Sequence, residues 1–123
     1  MTLFDLSRSK RSYSLTLPVP PSVNNYYKRG GHSVYLSQSV LNYRLQVMAI
    51  CVEQQITPLE GDVYCSIFVY RPAQRGDIDN YLKGLFDALN GWAWVDDSQI
   101  KAMDVGIGYD RKNPRLEIDV WTK

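Results

Sequence analysis

The chain has 123 residues, 45% of them hydrophobic and 22% charged, which is the balance of one globular domain, long enough to bury a core but too short for separate cofactor and substrate domains. No run approaches the ~18 consecutive apolar residues of a membrane span, and the start, MTLFDLSRSKRSYSL, lacks the positive-then-apolar order of a secretory signal; a cytoplasmic protein with no membrane partner is expected. The net charge of +1 hides a polarised chain: residues 76 to 100 hold five acids and one base, a balance of −4, and the rest hold eight acids and thirteen bases, a balance of +5.

Residues 1–12 carry no periodic pattern and read as a flexible N-terminal leader, so the folded domain is expected over 13–123. Tyr13–Leu17 alternates like a short strand, which Pro18, Pro20 and Pro21 terminate. Asn24 and Asn25 begin a turn. Tyr26–Arg29 and Ser33–Leu36 then flank Gly30 and Gly31, a pair suited to a hairpin whose basic tip carries His32. From Gln38 to Gln55 apolar residues recur at three and four, predicting an amphipathic helix with Ser37 as a cap. Its core face is expected to hold Leu41, Leu45, Met48 and Val52, with Val40, Val47 and Cys51 beside them.

Thr57–Gly61 breaks that helix, and Val63–Tyr70 follows as a central strand expected to be covered on both sides, since β-branched and aromatic residues occupy both of its faces. Arg71–Gly76 reads as a loop and Asp79–Asn90 as a second helix closed by Gly91. Asp104–Tyr109 and Arg115–Trp121 alternate at period two and predict a C-terminal hairpin joined by Asp110–Pro114. The order of elements is that of a small α+β fold with two main helices. Cys51 and Cys65 have no metal-type spacing and fall in apolar segments, which predicts free buried thiols.

The acidic segment, RGDIDNYLKGLFDALNGWAWVDD from Arg75 to Asp97, carries the chemistry. On its helix Leu82, Leu85, Phe86 and Leu89 form one face, while Asp79, Lys83 and Asp87 form the adjoining stripe at i, i+4 and i+8. Asp79 suits a helix cap; Asp77, two residues earlier at the mouth of the loop, is not explained by capping. Asp96 and Asp97 are adjacent and repel, so at least one of them wants a cation. A strand end, a helix start and a following turn are thus expected to aim Asp77, Asp79 and Asp97, with Asp96 as a further candidate, at one point. Carboxylate sites of this kind suit Mg²⁺ or Mn²⁺. Lys83 reads in two ways, as a positive charge for the pentavalent phosphate or a proton-transfer group, or as a surface partner of Asp79 and Asp87. An EF-hand does not fit, because Leu82 stands where its glycine belongs and Ala88 where its closing glutamate belongs.

Three stretches, LPVPPSVNNYY at 17–27, DIDNYLKGLFDAL at 77–89 and WVDDSQI at 94–100, resemble the RusA family of Holliday junction resolvases, and the resemblance runs from about Ser14 to Val120. It implies an α+β domain with a mixed sheet and two helices, forming a homodimer that binds four-way junction DNA. Paired symmetric nicks with Mg²⁺, or Mn²⁺ in its place, in DNA recombination and repair are the implied activity. Matched motif to motif, Asp77, Asp79 and Asp97 correspond to metal-binding aspartates and Lys83 to a catalytic lysine, while Asp87 and Asp96 occupy acidic positions usual in the family. Lys28, Arg29, Arg71, Arg75, Lys101, Arg111 and Lys112 are the nominated backbone contacts, with Tyr26, Tyr27 or Trp92 as stacking platforms. A nuclease for other branched or flapped DNA and a non-catalytic junction-binding protein are the competing readings.

Overall fold

Residues 12–21, 27–30, 33–74 and 77–123 are those described by the computed structural model, with only the backbone described over 27–30 and 33–35. The predicted leader lies outside them except for Ser12, which opens the first strand. The elements are β1 (Ser12–Leu17), β2 (Tyr27–Gly30), β3 (Ser33–Leu36), α1 (Gln38–Glu53), β4 (Val63–Arg71), α2 (Ile78–Leu89), β5 (Ile100–Tyr109) and β6 (Arg115–Trp121), with a 3-10 turn, Asp97–Gln99, between α2 and β5. Four strands form a mixed sheet in the order β1-β6-β4-β5, and β2 pairs with β3 in the separate hairpin that Gly30 and Gly31 predict.

The two C-terminal strands exist as expected but do not pair with each other. β5 runs parallel to β4, with Val63 opposite Ile100 and Arg71 opposite Tyr109, whereas β6 runs antiparallel along the other edge of β4 and also pairs with β1. Alternation identifies a strand but not its neighbour. The crossover through α2 returns the chain to the start of β4, so β5 must leave in the same direction as β4. The following turn then passes the end of β4, where the Asp110 N–H donates to the Arg71 carbonyl at 2.8 Å.

Both helices lie on one face of the sheet. Val63, Cys65, Ile67 and Val69 of β4, Leu116, Ile118 and Val120 of β6, and Leu15 and Leu17 of β1 meet Tyr43, Val47 and Cys51 of α1 and Leu82, Leu85, Ala88 and Leu89 of α2 in one core. Fully burying one of these Leu or Val side chains contributes about 1.5–3 kcal/mol. Among the described residues β4 is therefore covered on one side only, against expectation. Its other side carries Tyr64, Phe68 and Tyr70, and Phe68 is 38% exposed. These aromatics cover the outer surface themselves: a Cβ at Gly106 would come within 2.6 Å of the Phe68 ring.

The core face of α1 also differs from the predicted one. Val40, Tyr43, Val47 and Cys51 are buried, while Leu41, Leu45 and Val52 are 40%, 56% and 59% exposed. Apolar residues surround most of this helix, so periodicity alone leaves two overlapping stripes, and a tertiary hydrogen bond favours one of them. The Tyr43 hydroxyl donates to the Pro18 carbonyl at 2.7 Å, tying α1 to the proline segment after β1. Ser37 caps the helix as expected, its hydroxyl accepting from the Val40 N–H at 3.4 Å.

Cys51 and Cys65 are free and buried, as predicted, and burial pushes the Cys65 thiol up to about 12, far from the range of a nucleophile. Among the described residues no helix is long and apolar enough to cross a membrane.

Candidate active site

The loop after β4 leads into α2 through Asp77, which occupies the N-cap position with extended backbone. Its carbonyl accepts the Asn80 N–H at 3.1 Å, but its carboxylate makes no capping hydrogen bond. Asp79, the expected cap, sits instead in the first turn, where its charge meets the favourable end of the helix dipole. Both aspartates are exposed. Lys83 follows one turn later, and its Nζ lies 3.5 Å from Asp87 Oδ2, which is also 4.0 Å from the Arg44 guanidinium on α1. Asp87 thus links the two helices through partly exposed ion pairs, worth at most about 1 kcal/mol each.

The other acidic pair sits where α2 gives way to β5. Asp96 caps the 3-10 turn: its carboxylate accepts from the Ser98 N–H at 3.0 Å, and the Gln99 side-chain oxygen reaches back to the Asp96 N–H at 2.8 Å, closing a capping box. Hydrogen bonds from the Ser98 side chain and then its backbone hold the Asp96 carboxyl below the usual carboxylate range. Gln99 accepts from the Val95 N–H as well, and its amide donates to the carbonyls of Leu59 and Gly61 at 2.9 and 2.8 Å. The turn is thereby clamped to the segment that precedes β4. Asp97, half-buried, accepts from the Asn90 side-chain amide at 3.1 Å.

Within one chain these two pairs do not converge, contrary to the sequence-based expectation. Asp97 is bonded to Asn90 at the C-terminal end of α2, and roughly 16 Å of helix rise separates Asn90 from Asp79. The sheet register agrees: β5 begins beside Val63, at the start of β4, whereas Asp77 follows the end of β4. Among the described residues no three His, Cys, Asp or Glu side chains are grouped to hold a metal ion. The donors themselves suit a hard cation, since all are carboxylates and Asp77 and Asp79 are not used in capping. The chain therefore presents these carboxylates in two separate groups, Asp77 with Asp79 and Asp97 apart from them.

The nominated cations divide between the same two ends. Arg71 closes β4, its Nε donating to the Gly108 carbonyl at 3.2 Å, and Arg111 and Lys112 lie exposed on the adjoining turn, which the Asp110 carboxylate organises by accepting the N–H groups of Lys112 and Asn113. Lys101 lies exposed at the other end, just after the 3-10 turn. Arg75, Tyr26 and His32, and the side chains of Tyr27, Lys28 and Arg29, lie outside the described residues. Trp94 is fully buried and Trp92 packs against the core, so both indoles belong to the fold.

Sequence reasoning assigned no role to Asn90, and to Gln99 only a place in the motif WVDDSQI. Gln99 had a legible signal, because it stands three residues after Asp96 in capping-box spacing. Asn90, directly before Gly91, reads in sequence only as a helix end.

A profile of the family described as endodeoxyribonuclease RusA matches residues 18–121 of the chain. A crossover junction endodeoxyribonuclease of Enterobacteria phage HK97 is 34% identical over 117 residues, covering 88% of this chain and 92% of that protein. The proteins of the same name from Shigella sonnei (strain Ss046) and Escherichia coli (strain K12) are each 34% identical over 112 residues, covering 89% of this chain and 93% of theirs. The match takes in the proline segment, both acidic pairs and every strand of the sheet except β1, and on that basis the chain belongs to the RusA family of endodeoxyribonucleases.

Proposed function

We propose that this protein resolves four-way DNA junctions, cutting two strands symmetrically as a homodimer with Mg²⁺, or Mn²⁺ in its place, in DNA recombination and repair. The observation that carries the reading is the pair Asp77 and Asp79: exposed carboxylates at a helix start, left out of capping, which the chain reaches from the end of β4 where Arg71 and the turn of Arg111 and Lys112 lie. The names of the relatives, crossover junction endodeoxyribonucleases, support the same substrate.

Asp77, Asp79 and Asp97 hold the ion. When bound, it supplies positive charge to the scissile phosphate and lowers the pKa of an attacking water. Asp97 lies a helix length from the other two, so the half-sites come from different protomers, and pairing two copies assembles two sites. Each site cuts one strand, which suits an isologous dimer on a junction of matching symmetry. Lys83, one turn from Asp79, offsets the charge of the pentavalent phosphate, and Asp87 keeps its ammonium on that side of the helix. Arg71, Arg111 and Lys112 hold the backbone near Asp77 and Asp79, and Lys101 holds it near Asp97; these contacts position the DNA without reading sequence. Water attacks directly, with no covalent enzyme intermediate.

A labelled synthetic four-way junction, incubated with and without Mg²⁺, tests the reading. Paired, symmetric, metal-dependent nicks are expected. Cuts confined to flaps, or binding without cleavage, would overturn it.

A further inference from the structure

Asp97 is held by a chain of side chains that leads into the core. Its Oδ2 accepts the Asn90 Nδ2–H at 3.1 Å, and Asn90 Oδ1 accepts the indole N–H of Trp94 at 2.6 Å. An indole nitrogen can only donate. The amide of Asn90 must therefore turn its oxygen to Trp94 and its NH₂ to Asp97, because the reversed amide would set donor against donor at one end and oxygen against carboxylate at the other. Trp94 cannot yield, being fully buried, edge-on to Phe86 at 5.8 Å, with its carbonyl accepting the Gly91 N–H at 2.7 Å. The Asn90 backbone is fixed as well, its N–H donating to the Phe86 carbonyl at 2.9 Å.

We infer that Trp94 and Asn90 are positioning residues for Asp97: the indole sets the orientation of the amide, the amide holds Oδ2, and Oδ1 is left to ligate a divalent cation. The inference rests on the proposed reading of Asp97 as a metal ligand. A lone carboxylate on a turn would sample several rotamers, and a cation arriving there would bear the cost of ordering it. Asp77 and Asp79 have a helix start beneath them, while Asp97 has a short 3-10 turn. Partners behind a ligating carboxylate typically carry about 10–100-fold in metal affinity or activity.

Mn²⁺ titration of the intact protein, followed by the paramagnetic resonance signal of the free ion, measures the effect without DNA. Asn90→Ala is expected to weaken Mn²⁺ binding about tenfold or more and to raise the Mg²⁺ concentration for half-maximal junction cleavage in step. Junction affinity in EDTA should not change. Trp94→Phe, which keeps the ring and removes the N–H, should move both metal readouts in the same direction. Leu85→Ala, a core truncation on α2 outside the relay, separates ordering of Asp97 from general loss of stability and should leave Mn²⁺ affinity in place. Wild-type Mn²⁺ affinity in Asn90→Ala, or an equal loss in Leu85→Ala, would overturn the inference. If the wild-type protein binds Mn²⁺ but cuts no junction, the proposed function fails while the comparison of variants still judges the relay. If it binds no Mn²⁺, both fall.

Discussion

The two ends of the β4–α2–β5 unit use aspartate in opposite ways. At the start of α2, Asp77 and Asp79 are exposed and, among the described residues, held through their backbone, with no side-chain cap from Asp77. At the start of β5, Asp96 and Asp97 are engaged by Ser98, Asn90 and the Gln99 clamp. The difference follows from what lies beneath each pair. A helix of 12 residues fixes its first turn by its own hydrogen bonds and packing, so carboxylates there can stay open. A three-residue 3-10 turn has too few internal bonds for that, and side chains must supply the rigidity.

The sharpest way to break this comparison is to separate the two ends between two chains. Asp77→Asn and Asp97→Asn should each lose more than the roughly 10–100-fold typical of an outer partner. Asp77→Asn should also bind junctions at least as tightly as wild type, since one carboxylate fewer faces the phosphates. Mixed as heterodimers, the two variants should regain single-strand nicking, because one of the two shared sites is then intact. A site built within one chain would stay dead in both protomers, so the absence of restored nicks would sink the shared site.

Next in size is the clamp. Gln99→Ala removes four hydrogen bonds and leaves the Leu59 and Gly61 carbonyls without that donor. An expected loss of about 1–3 kcal/mol would be read as a lower urea midpoint with an unchanged slope. Cleavage should fall further than the folded fraction does, because Asp97 lies inside the clamped turn. An unchanged midpoint would mean that the turn holds itself.

A smaller effect concerns the cations at the open end. Arg111→Ala and Lys112→Ala should each weaken junction binding and lower the slope of log affinity against log salt by about 0.9. Slopes identical to wild type would assign these residues to solvent rather than to phosphate.

Much of this arrangement was legible in the sequence, and the failures share a cause. Period two found β1, β5 and β6, β-branched and aromatic residues found β4, the glycine pair found the β2–β3 hairpin, and the α2 stripe of Leu82, Leu85 and Leu89 found its core face, because each signal is local. The partner of β5, the face of α1 and the distance between Asp77 and Asp97 are set by the crossover, by the Tyr43–Pro18 bond and by the length of α2, which relate residues far apart in the chain. The motifs DIDN and WVDDSQI single out four acids but could not say that a helix stands between them. Asn90 was invisible for the same reason, since its significance lies in the indole and the carboxylate it joins.

Asp96 and Asp97 test how finely the fold divides work between neighbours. Asparagine is as good an N-cap as aspartate, so Asp96→Asn should keep the capping box and most junction cleavage, whereas Asp97→Asn should not. The same substitution has a signature in acid. The folded Asp96 carboxyl titrates below its usual value because Ser98 bonds its charged form, so as pH falls the unfolded chain takes up the proton first. The stability this contributes is present above the ordinary carboxylate range near ~3.9 and is lost as pH falls through the folded value. Asp96→Asn cannot titrate and should flatten the acid limb of a urea-stability profile, while Asp110, lowered by the Asn113 N–H and Arg115, remains as a reference in the same protein. Cleavage lost as completely as in Asp97→Asn would move Asp96 from the cap to the metal, and an acid limb identical to wild type would show that its hydrogen bonds to Ser98 add nothing to folding.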